Sequence, residues 1–255
     1  MSVKKINRIG ERSFSNQGYE MLIIEYHNNK NVIIEFQDEY KAKARCSYIH
    51  FKNGQVNNPY HKSVYGVGFI GDGKYSNKTH PKIYAEWIDL IRRCFDKDFK
   101  NKYTTYKDCI LEDYLLCFQN FAKWYEDNYY QFRDEIMQVD KDILKHGNKE
   151  YSPDNCMIVP SCINAMFIKN KSKRGDCPIG VYKYGSKELP YTAQCADIDL
   201  GKQKRIGQFK TKEQAFYAYK EYKEKYLKRK AEEFKNEIPL KLYNAMINYE
   251  VKITD

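Results

Sequence analysis

The stretch Gln138 to Lys169 constrains this chain more than any other, because its residues read as a strand, a polar loop, a second strand and a helix. Val139, Ile143 and Leu144 supply apolar residues around an acidic pair, Asp140 and Asp142, and His146 to Lys149 has the small polar composition of a loop. Cys156 to Val159 is a compact apolar run suited to a return strand. Pro160 and Ser161 then open a helix, with Ser161 expected to cap it and Ile163, Met166 and Phe167 recurring at helical spacing. Such a unit brings Asp140, on the first strand, beside Asn164, in the first turn of the helix. Two oxygen ligands at one end of a hairpin suit Mg²⁺ or another divalent cation, which takes few protein ligands and keeps waters and phosphate oxygens. The plainer alternative is that Asp140, Asp142 and Asn164 only cap and solvate a ββα unit.

These residues resemble the ββα-metal nucleases, the group named HNH for its His-Asn-His signature. They are most similar to its phage-borne members, in which an acidic-basic strand end, a Tyr-Ser-Pro-x-Asn-Cys turn (here Tyr151 to Cys156) and a helix carrying Asn follow one another. The resemblance implies that Asp140 binds the metal, that Asn155 pins the loop, and that Asn164 supplies the second metal ligand. It also implies a His after the metal-binding Asp, as the base that deprotonates water, and here that residue is Lys141. A lysine with an ordinary pKa near ~10.4 is protonated at neutral pH and cannot serve as that base. It can still hold a phosphate or stabilise charge in the transition state. His146 is the nearest replacement base. Three readings stand open: a nuclease with a relocated base, a slow nuclease using metal-activated water, and a ββα unit kept for DNA binding alone.

The net charge of +10, from 44 Lys and Arg against 34 Asp and Glu, points toward polyanions. Because the cations are interleaved with Tyr, Asn and Gln, double-stranded DNA is a better match than a membrane surface. No stretch approaches the ~18 apolar residues of a membrane-spanning helix, and the start of the sequence lacks a signal-peptide core, so a cytoplasmic protein is expected, in the host cytoplasm if phage-encoded. The eight cysteines form no Cys-x-x-Cys pair and read as reduced thiols. Cys156 and Cys162 are the candidates for a structural zinc near the motif, and without a second pair zinc is not expected.

Residues 1–65 read as a small β module, with strands at Met21 to Tyr26, Val32 to Phe36 and Arg45 to Phe51. Gly66 to Gly73 formally satisfies Gly-x-Gly-x-x-Gly, yet no helix pattern follows at once. The stretch 66–81 is therefore read as a linker and not as a phosphate loop. Residues 82–170 are expected to form the HNH-like ββα-metal domain. Ile83, Trp87, Leu90, Ile91 and Cys94 mark one apolar helix face, and Phe118, Phe121, Ala122, Trp124 and Tyr125 another. The basic run from Lys169 to Gly175 is read as a hinge.

In residues 171–235, runs starting at Pro178, Tyr191 and Lys204 read as three strands, and Thr211 with Gln214 forms a capping box for a long helix. This segment resembles the ethylene-response-factor, or Apetala-type, DNA-binding domain. The resemblance rests on Gly180-Val181, Tyr191-Thr-Ala193, Ile206 to Phe209 and the Thr211 to Ala218 helix start. In that family the sheet lies in the major groove. By position this nominates Tyr182, Lys183, Tyr191, Gln194, Gln203 and Arg205 for the DNA face, with Lys202 and Lys204 close to phosphates. Residues 236–255 read as a short apolar helix and tail that docks on the body or on a second copy.

The expectation is thus an α+β, modular protein: an N-terminal β module, a central HNH-like ββα-metal domain with helices, and a C-terminal three-stranded sheet plus helix. Its expected activity is divalent-metal-dependent hydrolysis of DNA phosphodiesters, of the homing type. The alternatives are an inactive DNA-binding regulator and a phage protein that binds a host protein or RNA.

Overall fold

Two runs of alternating apolar residues set the first sheet in the computed structural model, which describes residues 7–169 and 174–255. Strands β1 (Arg12–Phe14), β2 (Glu20–Asn28), β3 (Asn31–Phe36) and β4 (Lys43–Cys46) form an antiparallel meander in chain order. Every second residue, Met21, Ile23, Val32, Ile34 and Phe36, is fully buried on one face. That is the outcome of a period of two on a half-covered sheet, and each such side chain contributes roughly 1.5–3 kcal/mol of transfer free energy. A strand expected through Arg45 to Phe51 stops instead at Cys46. Ser47 caps helix α1 (Tyr48–Lys52), its hydroxyl accepting from the His50 N–H at 3.3 Å, and the helical turn swings Phe51 into the core.

The helices that follow keep the predicted faces. Helix α2 (Pro81–Phe95) buries Trp87, Leu90, Ile91 and Cys94. After α3 (Lys97–Lys102) and the short strand β5 (Ile110–Leu111), helix α4 (Phe118–Asn128) buries Phe118, Phe121, Ala122, Trp124 and Tyr125. The glycine-rich stretch before α2 is packed chain. A Cβ on Gly68 would press on Ile91 and Trp87, and the Phe69 backbone bonds to Leu116 and Phe118. No helix follows those glycines until Pro81.

The chain divides into two units, Met1–Asp127 and Asn128–Asp255. The second contains β6 (Met137–Asp140), β7 (Glu150–Tyr151), β8 (Met157–Pro160) and α5 (Ser161–Phe167). It continues with β9 (Val181–Tyr182), β10 (Tyr191–Asp197), β11 (Lys202–Phe209), α6 (Lys212–Phe234) and α7 (Leu240–Ile247). Four residues of the expected hinge, 170–173, lie outside the described residues. The chain is therefore α+β, with seven helices and several small sheets among the described residues. None of those helices is long and apolar enough to cross a membrane.

Strands β9 to β11 form one antiparallel sheet in the order β11-β10-β9, and α6 covers one of its faces. The expected capping box is present: Thr211 accepts from the Gln214 N–H, and Gln214 accepts from that of Thr211. Gly180 sits at φ +73°, and a Cβ there would enter the Tyr219 ring of α6. Backbone conformation and close packing both demand glycine at that position. Helix α7 lies against α6 with Leu242 and Met246 buried, while Leu240 is exposed.

Candidate metal and nucleic-acid site

The ββα unit forms where its pattern placed it, with β6 and β8 antiparallel and Asp140 opposite Met157. Met137 and Val139 point into the core, so Gln138 and Asp140 share the other face of β6. The Asn164 Nδ2 donates to Gln138 Oε1 at 2.8 Å, fixing the α5 amide over that face. Gln138 and Asp140 are two residues apart on the strand, roughly 7 Å. Both oxygen-bearing groups singled out from the sequence are thus brought to one side of the hairpin.

Asp140 also closes the turn after β6. Its Oδ1 accepts from the backbone N–H groups of Asp142 and Ile143, both at 2.8 Å, while its second oxygen has no hydrogen-bond partner among the described residues. Burial pushes the Asp140 carboxyl up to about 6, and the neighbouring Asp142 carboxylate adds to the shift. With Nδ2 given to Gln138, the Asn164 carbonyl oxygen is left as an acceptor. One carboxylate oxygen and one amide oxygen are hard donors that fit an open, water-rich Mg²⁺ site. No cluster of three or more His, Cys, Asp or Glu suited to a metal occurs among the described residues.

The two candidate bases are engaged elsewhere. Lys141 is only 6% exposed, its ammonium 3.2 Å from Asp142 Oδ2 and over the Tyr151 ring at 5.6 Å. His146 pairs with Asp255 at 3.2 Å, touches the Lys169 amine, and packs T-shaped with the Tyr249 ring. Asn155 does tie the loop: its Nδ2 donates to Glu150 Oε2 at 2.9 Å, and its N–H donates to Ser152 Oγ.

Three supporting residues escaped the sequence reading. Asn148 donates to the carbonyls of both Lys141 and Glu150, and Glu150 receives Asn155, so this pair staples the loop to the end of β6. Glu135 replaces the expected Ser161 cap. Pro160 occupies the cap position, and Glu135 Oε2 accepts from the Ser161 hydroxyl at 2.6 Å and the Cys162 N–H at 3.2 Å. Serine at the first helical position cannot reach back as an N-cap does, but it can donate outward to a carboxylate at the positive helix end. The Ser161 hydrogen bond holds the Glu135 carboxyl below its usual range. Burial and that carboxylate push the Cys162 thiol up to about 11.

On the β9 to β11 sheet, register decides which nominated residues share a face, because directly paired residues point the same way. Thr192 pairs with Tyr182, Gln194 with Arg205, and Ala196 with Gln203, which gathers Tyr182, Gln194, Gln203 and Arg205 on the outer face. A bulge makes this possible. Phe209 and Gly207 pair with the core-facing Tyr191 and Ala193, and the register shift at Ala193/Gln194 leaves Ile206 as the extra residue. Without it, Arg205 and Gln203 would turn toward α6.

One residue nominated for that face, Tyr191, lies on the other, and the two lysines expected near phosphates stand on its side of the ribbon. Tyr191 packs with Phe209 against the α6 core. Lys202 and Lys204 pair with Asp197 and Cys195, whose side chains are buried on the helix side, so both lysines stand on that side of the ribbon. Lys183 is exposed just past the end of β9. Tyr184 joins the outer face instead, its hydroxyl donating to Gln194 Oε1 at 3.2 Å.

Comparison with known proteins finds no family model, no curated protein and no solved structure that matches this chain.

Proposed function

We propose that this chain binds double-stranded DNA through the outer face of the β9 to β11 sheet and hydrolyses its phosphodiesters slowly, as a divalent-metal-dependent endonuclease. The observation that carries this reading is the Asn164 to Gln138 bond, which sets a free amide oxygen on the same strand face as the unpartnered oxygen of Asp140. Asp140 and Asn164 would hold the ion, with Asn155, Asn148 and Glu150 keeping the loop in place. A divalent cation there supplies Lewis-acid stabilisation of the leaving oxygen and lowers the pKa of water. The resemblances to HNH nucleases and to ethylene-response-factor domains support the same assignment.

Slow cleavage follows from the commitments of the two candidate bases. Lys141 is bound to Asp142, and His146 is bound to Asp255 and Lys169, so neither side chain is poised to take a proton from water. Those same commitments favour a second reading, in which the ββα unit is a scaffold and the sheet alone carries DNA binding.

Plasmid nicking separates the two. The nuclease reading expects nicks in Mg²⁺ or Mn²⁺ and none in EDTA. Retarded but intact DNA in every buffer would leave only the scaffold reading.

A further inference from the structure

Beside the sheet lies a cleft of about 160 Å³ lined by residues of α5, β10 and α6 and by Arg174. It opens where β10 runs past its short partner, since β9 pairs only with Thr192 and Ala193. The lining carries Lys169, Arg174 and Lys223 and no carboxylate.

Two of these cations are buried with an incomplete set of partners. Arg174 is 6% exposed and spends Nη2 on the Lys169 and Asp255 backbone oxygens, while its Nε and Nη1 are buried with no hydrogen-bond partner. Lys223 is 3% exposed, and its polar neighbour is the Cys195 thiol. No carboxylate faces it among the described residues. Burial holds its ammonium below the usual lysine range. The third, Lys169, is already paired with Asp255. A buried guanidinium with two orphan N–H groups and a buried ammonium without a counterion are each costly in isolation. An anion in the cleft would complete both.

We propose that this cleft is a binding site for a phosphate-class oxyanion, held by Arg174 and Lys223, the two buried cations of its lining. A guanidinium N–H gives a charge-assisted hydrogen bond to an oxygen of a tetrahedral anion, and the ammonium adds a point charge. The volume is far above the roughly 10–15 Å³ that one water needs. Gln194 and Gln203, from the outer face of the sheet, also line the cleft. The anion therefore comes either from a phosphodiester of duplex DNA lying on that face or from free phosphate. Only the first source rests on the DNA reading.

The test is thermal unfolding of the full chain during titration with inorganic phosphate, with ionic strength held constant by chloride. Wild type should show a saturable rise, about 3–6 °C at ten times the dissociation constant. Lys223→Met and Arg174→Met should each lose that response. Lys223→Met should also melt higher than wild type in chloride alone, which separates loss of the site from loss of the fold. A short duplex that abolishes the phosphate response identifies the backbone source, and one that leaves it intact identifies free phosphate; both support the site. No saturable rise in wild type, or an equal rise in wild type and both variants, would overturn it.

Discussion

The side-chain amide of Asn164, on α5, donates to the Oε1 of Gln138, on β6, at 2.8 Å. This bond orients the amide so that its oxygen stays available on the Asp140 face. Gln138 is then a positioning residue, and replacing it should weaken metal use and leave the chemistry intact. For Gln138→Leu we expect the Mg²⁺ concentration at half-maximal nicking to rise about 10-fold, with the rate restored at saturating Mg²⁺. A lower rate that no Mg²⁺ concentration restores would contradict this role.

Glu135 should be a stability residue. Removing the carboxylate that receives Ser161 and Cys162 costs about 1 kcal/mol, by analogy with loss of an N-cap. Its folded pKa is depressed, so the stabilisation is present above the unfolded value near 4.5 and is lost as pH falls through the folded one. Denaturation midpoints of wild type and Glu135→Gln should accordingly differ by a constant amount at neutral pH and converge in acid.

Sequence pattern reached the long periodic elements and stopped where a single contact decides. The faces of α2 and α4, the pairing of β6 with β8 and the capping box of α6 follow from periodicity and composition, which act over many residues. The end of β4 does not, because one serine hydroxyl at Ser47 turns a β-rich run into helix. Lys141 looks like a displaced catalytic residue in the sequence, whereas burial, Asp142 and Tyr151 make it part of the turn. Glu135 lies 26 residues from Ser161 and nothing local announces it. Arg205 reaches the outer face through one bulged residue, Ile206, and alternation counted back from Phe209 along an unbulged strand assigns it to the core side.

That bulge makes a prediction about DNA binding. Arg205→Ala should weaken duplex binding and reduce the slope of log affinity against log salt by about 1, the loss of one phosphate contact. Tyr191→Leu should leave the slope unchanged, because its ring packs on the core. Equal slopes for wild type and Arg205→Ala would remove Arg205 from the interface.

Gly180→Ala should cost the β9 to β11 sheet heavily, about 2–4 kcal/mol, since it combines a left-handed backbone position with a Cβ inside the Tyr219 ring. Urea unfolding followed by near-ultraviolet circular dichroism would read this. A loss under about 0.5 kcal/mol, the range of an ordinary surface substitution, would show that the helix is not seated as described.

The most direct test of the central claim is the single-turnover nicking rate of supercoiled plasmid in Mg²⁺, Mn²⁺ and EDTA. Wild type would be compared with Asp140→Asn, Asn164→Ala and His146→Ala. Wild type should nick slowly and only with metal, His146→Ala, whose ring is held by Asp255 and Lys169, should stay within about 3-fold of it, and the other two should fall to the EDTA background. Full activity in Asp140→Asn and Asn164→Ala, or nicking by wild type that persists in EDTA, would contradict it.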